Sequence, residues 1–125
     1  MVRKPTIYDL GKASKLLSDE EEIQDKILLE WLRYSKDESF YSLVNVERKK
    51  VTGILTAVYT VQNDKLICTI GRLHGTKEVK VLLFKKLFKD LTPFTVYIIV
   101  EDPKEFEELG FKISNYTMKL ERNEE

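Results

Sequence analysis

The sequence has very little cysteine and histidine. Among 125 residues it contains one cysteine, Cys68, and one histidine, His74. A single cysteine cannot form an internal disulfide, and this pair cannot complete the usual structural zinc sites. Because Cys68 lies in an apolar run, we interpret it as a small buried hydrophobe rather than a nucleophile. Free cysteine fits a reducing compartment, so a cytoplasmic location is the default expectation.

Net charge and long hydrophobic runs are also lacking. The chain has 21 basic and 21 acidic residues, so no overall field attracts nucleic acid or an anionic membrane surface. No apolar run reaches the length of about 20 residues that crosses a bilayer, and the amino terminus lacks the apolar core of a signal peptide. We therefore expect neither nucleic acid nor a membrane as a partner. A lysine-rich helix face is interpreted as solvated, because it has no interleaved aromatic residues; it comprises Lys80, Lys85, Lys86 and Lys89.

Several enzyme motifs are missing. The sequence has no GxSxG elbow, no GxxxxGK[ST] loop and no GxGxxG turn, which argues against serine hydrolases, P-loop nucleotide hydrolases and dinucleotide oxidoreductases. A length of 125 residues, of which 42% are hydrophobic, suits one core. We predict a single domain over residues 1–125.

Two helices are predicted near the amino terminus, after a short extended segment at 2–4. Thr6 and Asp9 have capping-box spacing and open the first helix, and Ser18 and Glu21 repeat this pattern before the second. Helical spacing then predicts the buried face of the second helix; it comprises Ile23, Ile27, Leu28, Trp31 and Leu32.

Three strands are predicted next, from residues rich in β-branched and aromatic side chains. They cover 40–46, 51–61 and 66–73, and the first two should form an antiparallel hairpin with a bulge at Gly53. A third helix fits 77–91, because its apolar residues follow helical spacing.

The remaining segment alternates strand and helix signals. Thr95 to Val100 reads as a central strand, since it is apolar on both faces. Asp102 can cap a short helix that stops at Gly110, and a last strand runs to Arg122. The string EDPKEFEELGFKISNYTMKLER, with its Leu-Gly-Phe, resembles the carboxy-terminal end of GNAT-superfamily N-acetyltransferases.

The amino-terminal string VRKPTIYDLGKASKLL is also similar to a GNAT opening, and the predicted element order is that of the superfamily. The resemblance implies an α/β fold, a single GNAT-like domain whose mixed, mostly antiparallel sheet is flanked by helices on both faces. It also implies acetyl-CoA as cofactor and a small-molecule or peptide amine as acceptor. Edge strands of such sheets can pair across a homodimer.

In GNAT enzymes a Q/R-x-x-G-x-G/A loop wraps the pyrophosphate of acetyl-CoA. Here Arg72 and Gly75 match that motif, whereas Lys77 replaces its last small residue. On the residues alone, Gly75 can equally supply a plain turn with Arg72 and Lys77 in solvent. We expect Gly75→Val to abolish cofactor affinity and to leave the thermal midpoint largely intact. By resemblance, the cofactor-binding residues are Ile70, Gly71, Arg72, His74, Gly75, Thr76 and Lys77.

No catalytic residue can be assigned. Many GNAT enzymes place a tyrosine four residues before the glycine of Leu-Gly-Phe, where it protonates the departing thiolate, but this chain has Phe106. Phenylalanine has no proton to give. Candidate general bases are Asp64, His74, Glu101 and Asp102.

The resemblance therefore predicts an acyl-CoA-dependent N-acetyltransferase in which an unprotonated amine attacks the thioester directly. Backbone amides from Ile70 to Arg72 are expected to align the cofactor and polarise its carbonyl. Lys77 and Phe106 motivate an alternative, a catalytically inactive GNAT-fold module for ligand sensing or protein interaction. A third reading is a small α/β interaction protein whose likeness to GNAT is only topological.

Overall fold

A mixed β-sheet with helices on both faces forms the frame of the molecule. The computed structural model describes residues 1–99, 112–114 and 117–121. Within these residues seven strands form one sheet in the order β1-β2-β3-β4-β5-β7-β6. Only β4 and β5 run parallel among the described pairs. The elements are β1 Val2–Arg3, α1 Ile7–Leu17, α2 Glu21–Tyr34, β2 Phe40–Glu47, β3 Lys50–Gln62, β4 Lys65–His74, α3 Lys77–Leu91, β5 Thr95–Ile99, β6 Lys112–Ser114 and β7 Thr117–Glu121.

This arrangement confirms the predicted fold class, the β2–β3 hairpin and the bounds of α3. Thr92 ends α3 in the left-handed region, with φ of 42°, and Pro93 follows it. The predicted helix from Asp102 to Gly110 lies outside the described residues, as do Glu101 and Phe106. In the described ranges, no helix has the length and apolarity that a bilayer crossing requires.

The start of α1 is the capping box that the sequence predicts. The Asp9 amide donates to Thr6 Oγ1 at 3.4 Å, and the Thr6 amide donates to Asp9 Oδ2 at 2.7 Å. The Arg3 guanidinium also donates to this carboxylate, with Nη2 at 3.1 Å from Oδ1. Burial tends to raise the pKa of Asp9, but the hydrogen bonds from Arg3 and Thr6 outweigh it and lower this pKa below its ordinary value of 3.8.

The second predicted capping box is wrong. Glu20 precedes the first residue of α2 and makes no side-chain cap, whereas Ser18 ends α1 and its hydroxyl accepts from the Glu20 amide at 3.1 Å. The connection is so short that Ser18 serves the end of one helix instead of the start of the next. Ile23 is 40% exposed, so its predicted place on the buried face is also wrong.

Two apolar layers sandwich the sheet. On one face, α1 and α2 pack against β2 and β3, through buried Leu10, Ala13, Ile27, Trp31, Val44, Val51 and Ile54. On the other face α3 packs on β2 to β5, through a second set of buried residues. Members of this set are Tyr41, Leu43, Leu55, Ala57, Cys68, Ile70, Val79, Leu83, Phe84, Leu87, Val96 and Ile98.

Gly53 borders a β-bulge, as predicted, and it also has a packing role. Asn45 pairs with Gly53 and Val46 with Val51, so the extra residue of this bulge is Thr52. A Cβ on Gly53 would lie 2.2 Å from Val79 Cγ1. Glycine at this position therefore lets α3 approach the sheet closely.

Candidate active site

The parallel pair of strands separates before either strand ends. β4 and β5 pair at Ile67 with Thr95, Cys68 with Val96 and Thr69 with Tyr97, and the pairing stops there. Both strands continue, β4 to His74 and β5 to Ile99. A continued ladder would pair the next residues in turn, so its absence marks an opening between the strands. From Ile70 onward, the edge of β4 that faces β5 has no ladder partner in the described part of β5.

A β-bulge lies at the start of this opening. Thr56 pairs with Arg72 and Ala57 with Ile70, which leaves Gly71 as the extra residue. The Arg72 amide donates to Thr56 Oγ1 at 2.9 Å. This amide is therefore satisfied within the sheet, and the expectation that backbone amides from Ile70 to Arg72 align the cofactor stays a prediction. The Ile70 side chain is buried on the α3 face, and only its backbone can face the opening.

The loop from β4 to α3 contains Gly75, which other residues cannot easily replace. Gly75 has φ of +143°, and a Cβ there would lie 2.9 Å from Val79 Cγ1 and 3.3 Å from the Thr52 carbonyl oxygen. Valine at this position would strain the backbone and clash. The expectation of an unchanged thermal midpoint for Gly75→Val is therefore wrong, and that variant cannot separate binding from stability.

The start of α3 presents backbone donors at the mouth of the opening. Thr76 is the N-cap, and its Oγ1 accepts from the Val79 amide at 3.3 Å. Lys77 begins the helix and is exposed, as is His74 at the end of β4. The amides of a first helical turn have no intrahelical acceptor, and the helix dipole makes this end positive. An anion is favoured at such a place.

Arg72 has a partner on the other face of the sheet. Its Nη2 lies 3.2 Å from Glu30 Oε2 of α2. The side chains of Arg72 and Glu30 are 39% and 52% exposed, so this ion pair contributes little to stability. The assignment of Arg72 to the cofactor stays a prediction.

A cavity of about 420 Å³ lies beside the bulge on the α2 face. We call it the bulge pocket. Its apolar wall includes Tyr34 and Phe40, whose rings stack with centroids 6.2 Å apart. No sequence pattern indicated this pocket, since α2 and β2 contribute to it far from the loop motif. Its lining residues are Glu30, Tyr34, Phe40, Thr56, Ala57, Val58, Gly71 and Arg72.

A larger cavity, of about 720 Å³, lies between β1, the start of β2 and the end of α3. Three of its polar groups satisfy one another: the Tyr41 hydroxyl donates to Asp90 Oδ2 at 2.7 Å, and Lys86 Nζ lies 3.1 Å from Asp90 Oδ1. It contains neither the bulge nor the loop that begins α3. We therefore place the candidate site at the strand opening, in spite of the greater volume elsewhere.

Two of the candidate general bases, Asp64 and His74, lie within the described residues, and Asp64 is far from the bulge. Asp64 sits in the turn before β4, at the opposite end of that strand from His74. The strand rise puts it roughly 20 Å from Gly71. Cys68 is fully buried, and burial raises the pKa of its thiol to about 11. Glu101 and Asp102 lie outside the described residues.

Comparison with known proteins identifies the fold. No protein-family profile and no curated protein sequence matches the chain. The structure is similar to aminoglycoside 6'-N-acetyltransferase from Enterococcus faecium, with a TM-score of 0.74, 13% identity and 99% of each chain covered. It is also similar to the PaiA N-acetyltransferase from Thermoplasma acidophilum in complex with coenzyme A, with a TM-score of 0.69, 17% identity and 98% of each chain covered.

A third similar structure is a GNAT family acetyltransferase from Brucella melitensis in complex with acetyl-CoA. The TM-score is 0.68 at 15% identity, over 100% of this chain and 89% of that one. Identities this low establish a shared fold and not a shared reaction. The chain therefore has the fold of the GNAT acetyltransferases, as the resemblance of its sequence predicts.

Proposed function

We propose that this protein is an acyl-CoA-dependent N-acetyltransferase that moves an acetyl group from acetyl-CoA to an amine of a small molecule or peptide. The observation that carries the proposal is the parting of β4 from β5 directly before the segment 72–77, which joins the end of β4 to the start of α3. An unpaired strand edge and a helix amino terminus, placed in sequence along one strand, suit a long ligand with an anionic section.

The residues present fit such a cofactor. Glycines stand at two positions of this segment where a Cβ would meet close neighbours. At Gly71 it would lie 3.1 Å from Thr56 Oγ1, and at Gly75 it would lie 3.3 Å from the Thr52 carbonyl oxygen. In this proposal the backbone of Ile70 and Gly71 borders the thioester arm, and the pyrophosphate lies against the amides of the loop that ends at Lys77. The side chains of His74 and Lys77 add donors beside it.

The chemistry needs positioning more than a nucleophile of the protein. Bound acetyl-CoA supplies an activated acetyl group that a neutral amine attacks directly, so the burial of Cys68 is no obstacle. The acceptor ammonium first loses one proton to solvent. Its nitrogen then bonds to the acetyl carbon while the carbon–sulfur bond breaks, and the second nitrogen proton ends on the sulfur. The products are the N-acetylated acceptor and CoA thiol.

Two charge-reversal variants test the loop. Lys77→Glu places a negative charge beside the proposed pyrophosphate, and an acidic residue in a first helical turn is itself favourable for the helix. We expect its Kd for acetyl-CoA to rise at least about tenfold, equivalent to about 1.4 kcal/mol. Lys85→Glu is the matched control, since Lys85 is exposed further along α3, and its Kd should stay within about twofold. Calorimetric titration measures both.

The same titration, combined with a thiol-release assay over a panel of amines, tests the reaction. Binding of acetyl-CoA with turnover supports the proposed function. Binding without turnover supports the alternative, an inactive GNAT-fold module for ligand sensing or protein interaction. Absence of binding contradicts acetyl transfer and supports the third reading, a small α/β interaction protein whose likeness to GNAT is only topological.

A further inference from the structure

The bulge pocket combines one acid, one base and an aromatic wall. Its described lining has a single carboxylate, Glu30, and a single guanidinium, Arg72, which face each other at 3.2 Å. The volume of about 420 Å³ is in the range of small-ligand sites. The pocket opens beside Gly71, where β4 leaves its pairing with β5. An acceptor held here lies next to the place where the proposed thioester arm runs.

The charges favour a ligand that carries both signs. A polycation would meet one carboxylate and one repelling guanidinium in this lining. A zwitterion can replace each half of the ion pair without changing the net charge of the pocket. The planar guanidinium suits a carboxylate through two parallel hydrogen bonds, and Glu30 can accept from an ammonium. Both side chains are partly exposed, so parting them costs little.

The remaining wall favours an apolar side chain on that ligand. Tyr34 and Val58 are 46% and 45% exposed, so part of their apolar surface is open to a ligand. Phe40 stacks on Tyr34 behind them. Covering this wall would remove apolar surface from water, which is favourable at about 25 cal/mol per Å².

We propose, on the basis of the acetyl transfer proposed above, that the bulge pocket binds the acceptor as a zwitterion, an α-amino acid with an apolar side chain. Its carboxylate lies on Arg72, its amine lies beside Glu30, and its side chain packs on Tyr34 and Val58. Arg72 is then a residue of acceptor specificity rather than a pyrophosphate ligand.

A binding comparison tests the zwitterion directly. L-phenylalanine and L-phenylalaninamide differ only in the carboxylate, and a mildly acidic buffer keeps both amines protonated. With the full chain and no acetyl-CoA present, we expect L-phenylalanine to bind at least about tenfold more tightly, measured by amide chemical shifts. Arg72→Gln should remove that preference. Arg33→Gln, at an exposed position of α2 outside the pocket, should retain it.

A second variant removes the negative charge of Glu30 and leaves the sequence of β4 unchanged. Glu30→Gln should weaken the binding of the acid and the amide together, because both lose the partner of their amine. Glu22→Gln, exposed in the first turn of α2, is its control. Equal affinity for acid and amide in the parent chain, or an undiminished preference in Arg72→Gln, overturns the proposal.

Different experimental results would contradict this inference and the proposed function. Acetylation of simple amines without a preference for L-phenylalanine over its amide retains acetyl transfer and overturns the zwitterion pocket. A retained preference that depends on Arg72, in a chain that binds no acetyl-CoA, supports the pocket and contradicts the transfer reaction.

Discussion

Burial and hydrogen bonding decide which polar side chains of this protein are open to chemistry. The Cys68 thiol is enclosed between the sheet and α3. Burial, together with the hydrogen bond to Asp90, raises the pKa of the Tyr41 phenol far above its ordinary value of 10.0. Both groups stay protonated at neutral pH. The thiol therefore packs in the core and the phenol makes one internal hydrogen bond, and neither is a candidate for catalysis.

Cys68 gives a first prediction. In the native protein the thiol should react with a disulfide reagent at least about a hundredfold more slowly than in urea, because it is enclosed and protonated. Cys68→Ser should destabilise by about 1–3 kcal/mol more than Cys68→Ala, since it buries a hydroxyl without a designed partner. Urea unfolding measures the difference. Rapid native labelling would show that the thiol is accessible and contradict its place in the core.

Asp9 gives a prediction with a defined pH dependence. Its folded pKa is lowered, so the carboxylate stabilises the fold above its ordinary pKa of 3.8, and this contribution is lost as pH falls through the lower folded value. Asp9→Asn should cost about 1–2 kcal/mol at neutral pH. The gap between parent and variant should close in acid. A gap that stays constant to the lowest pH at which both fold would contradict the ion pair with Arg3.

At the scale of elements, local signals predicted most of the fold. Thr6 with Asp9 and the apolar spacing of α3 are short-range patterns, and both were confirmed. The prediction for Ser18 was wrong because one residue can end a helix or begin the next, and sequence spacing does not decide between these two roles. The bulge at Gly71 depends on its pairing with Thr56 and Ala57, and the Glu30–Arg72 pair joins distant elements. Such features arise only when the chain folds. The loop between β4 and α3 could therefore be predicted from the sequence, whereas the bulge pocket could not.

Glycines at two positions allow a prediction about the placement of α3. Gly53→Ala should destabilise by about 1–3 kcal/mol, because the new methyl group overlaps Val79 and α3 must shift. Gly11→Ala is the matched control: it lies within α1 with nothing inside 4 Å of its Cβ, and it should stabilise by about 0.5–1 kcal/mol. Chemical unfolding measures both.

Pairing the first substitution with Val79→Ala removes the overlapping side chain. The double variant should be less destabilised than the sum of the two single changes. Simple additivity would indicate that Gly53 is not what lets α3 pack closely on β3.

At the scale of the whole molecule, the sheet separates the proposed acceptor site from the proposed pyrophosphate site. The α1 and α2 layer borders the bulge pocket on one face, and α3 packs on the other face with its amino terminus at the end of β4. In the proposed reaction the acceptor rests on the α2 face and the pyrophosphate at the start of α3. The opening between β4 and β5 joins them. This arrangement needs few reactive side chains, in keeping with a chain that has one histidine and one cysteine.

Amide chemical-shift mapping during an acetyl-CoA titration tests this account most directly, because it reports on each backbone N–H separately. We predict that the largest shifts fall on the amides of Ile70, Gly71 and residues 74–77, with small shifts around Tyr41 and Asp90 in the larger cavity. Shifts concentrated at that cavity, or none along β4 and the start of α3 at saturating acetyl-CoA, would contradict the claim that the parted strands hold the cofactor.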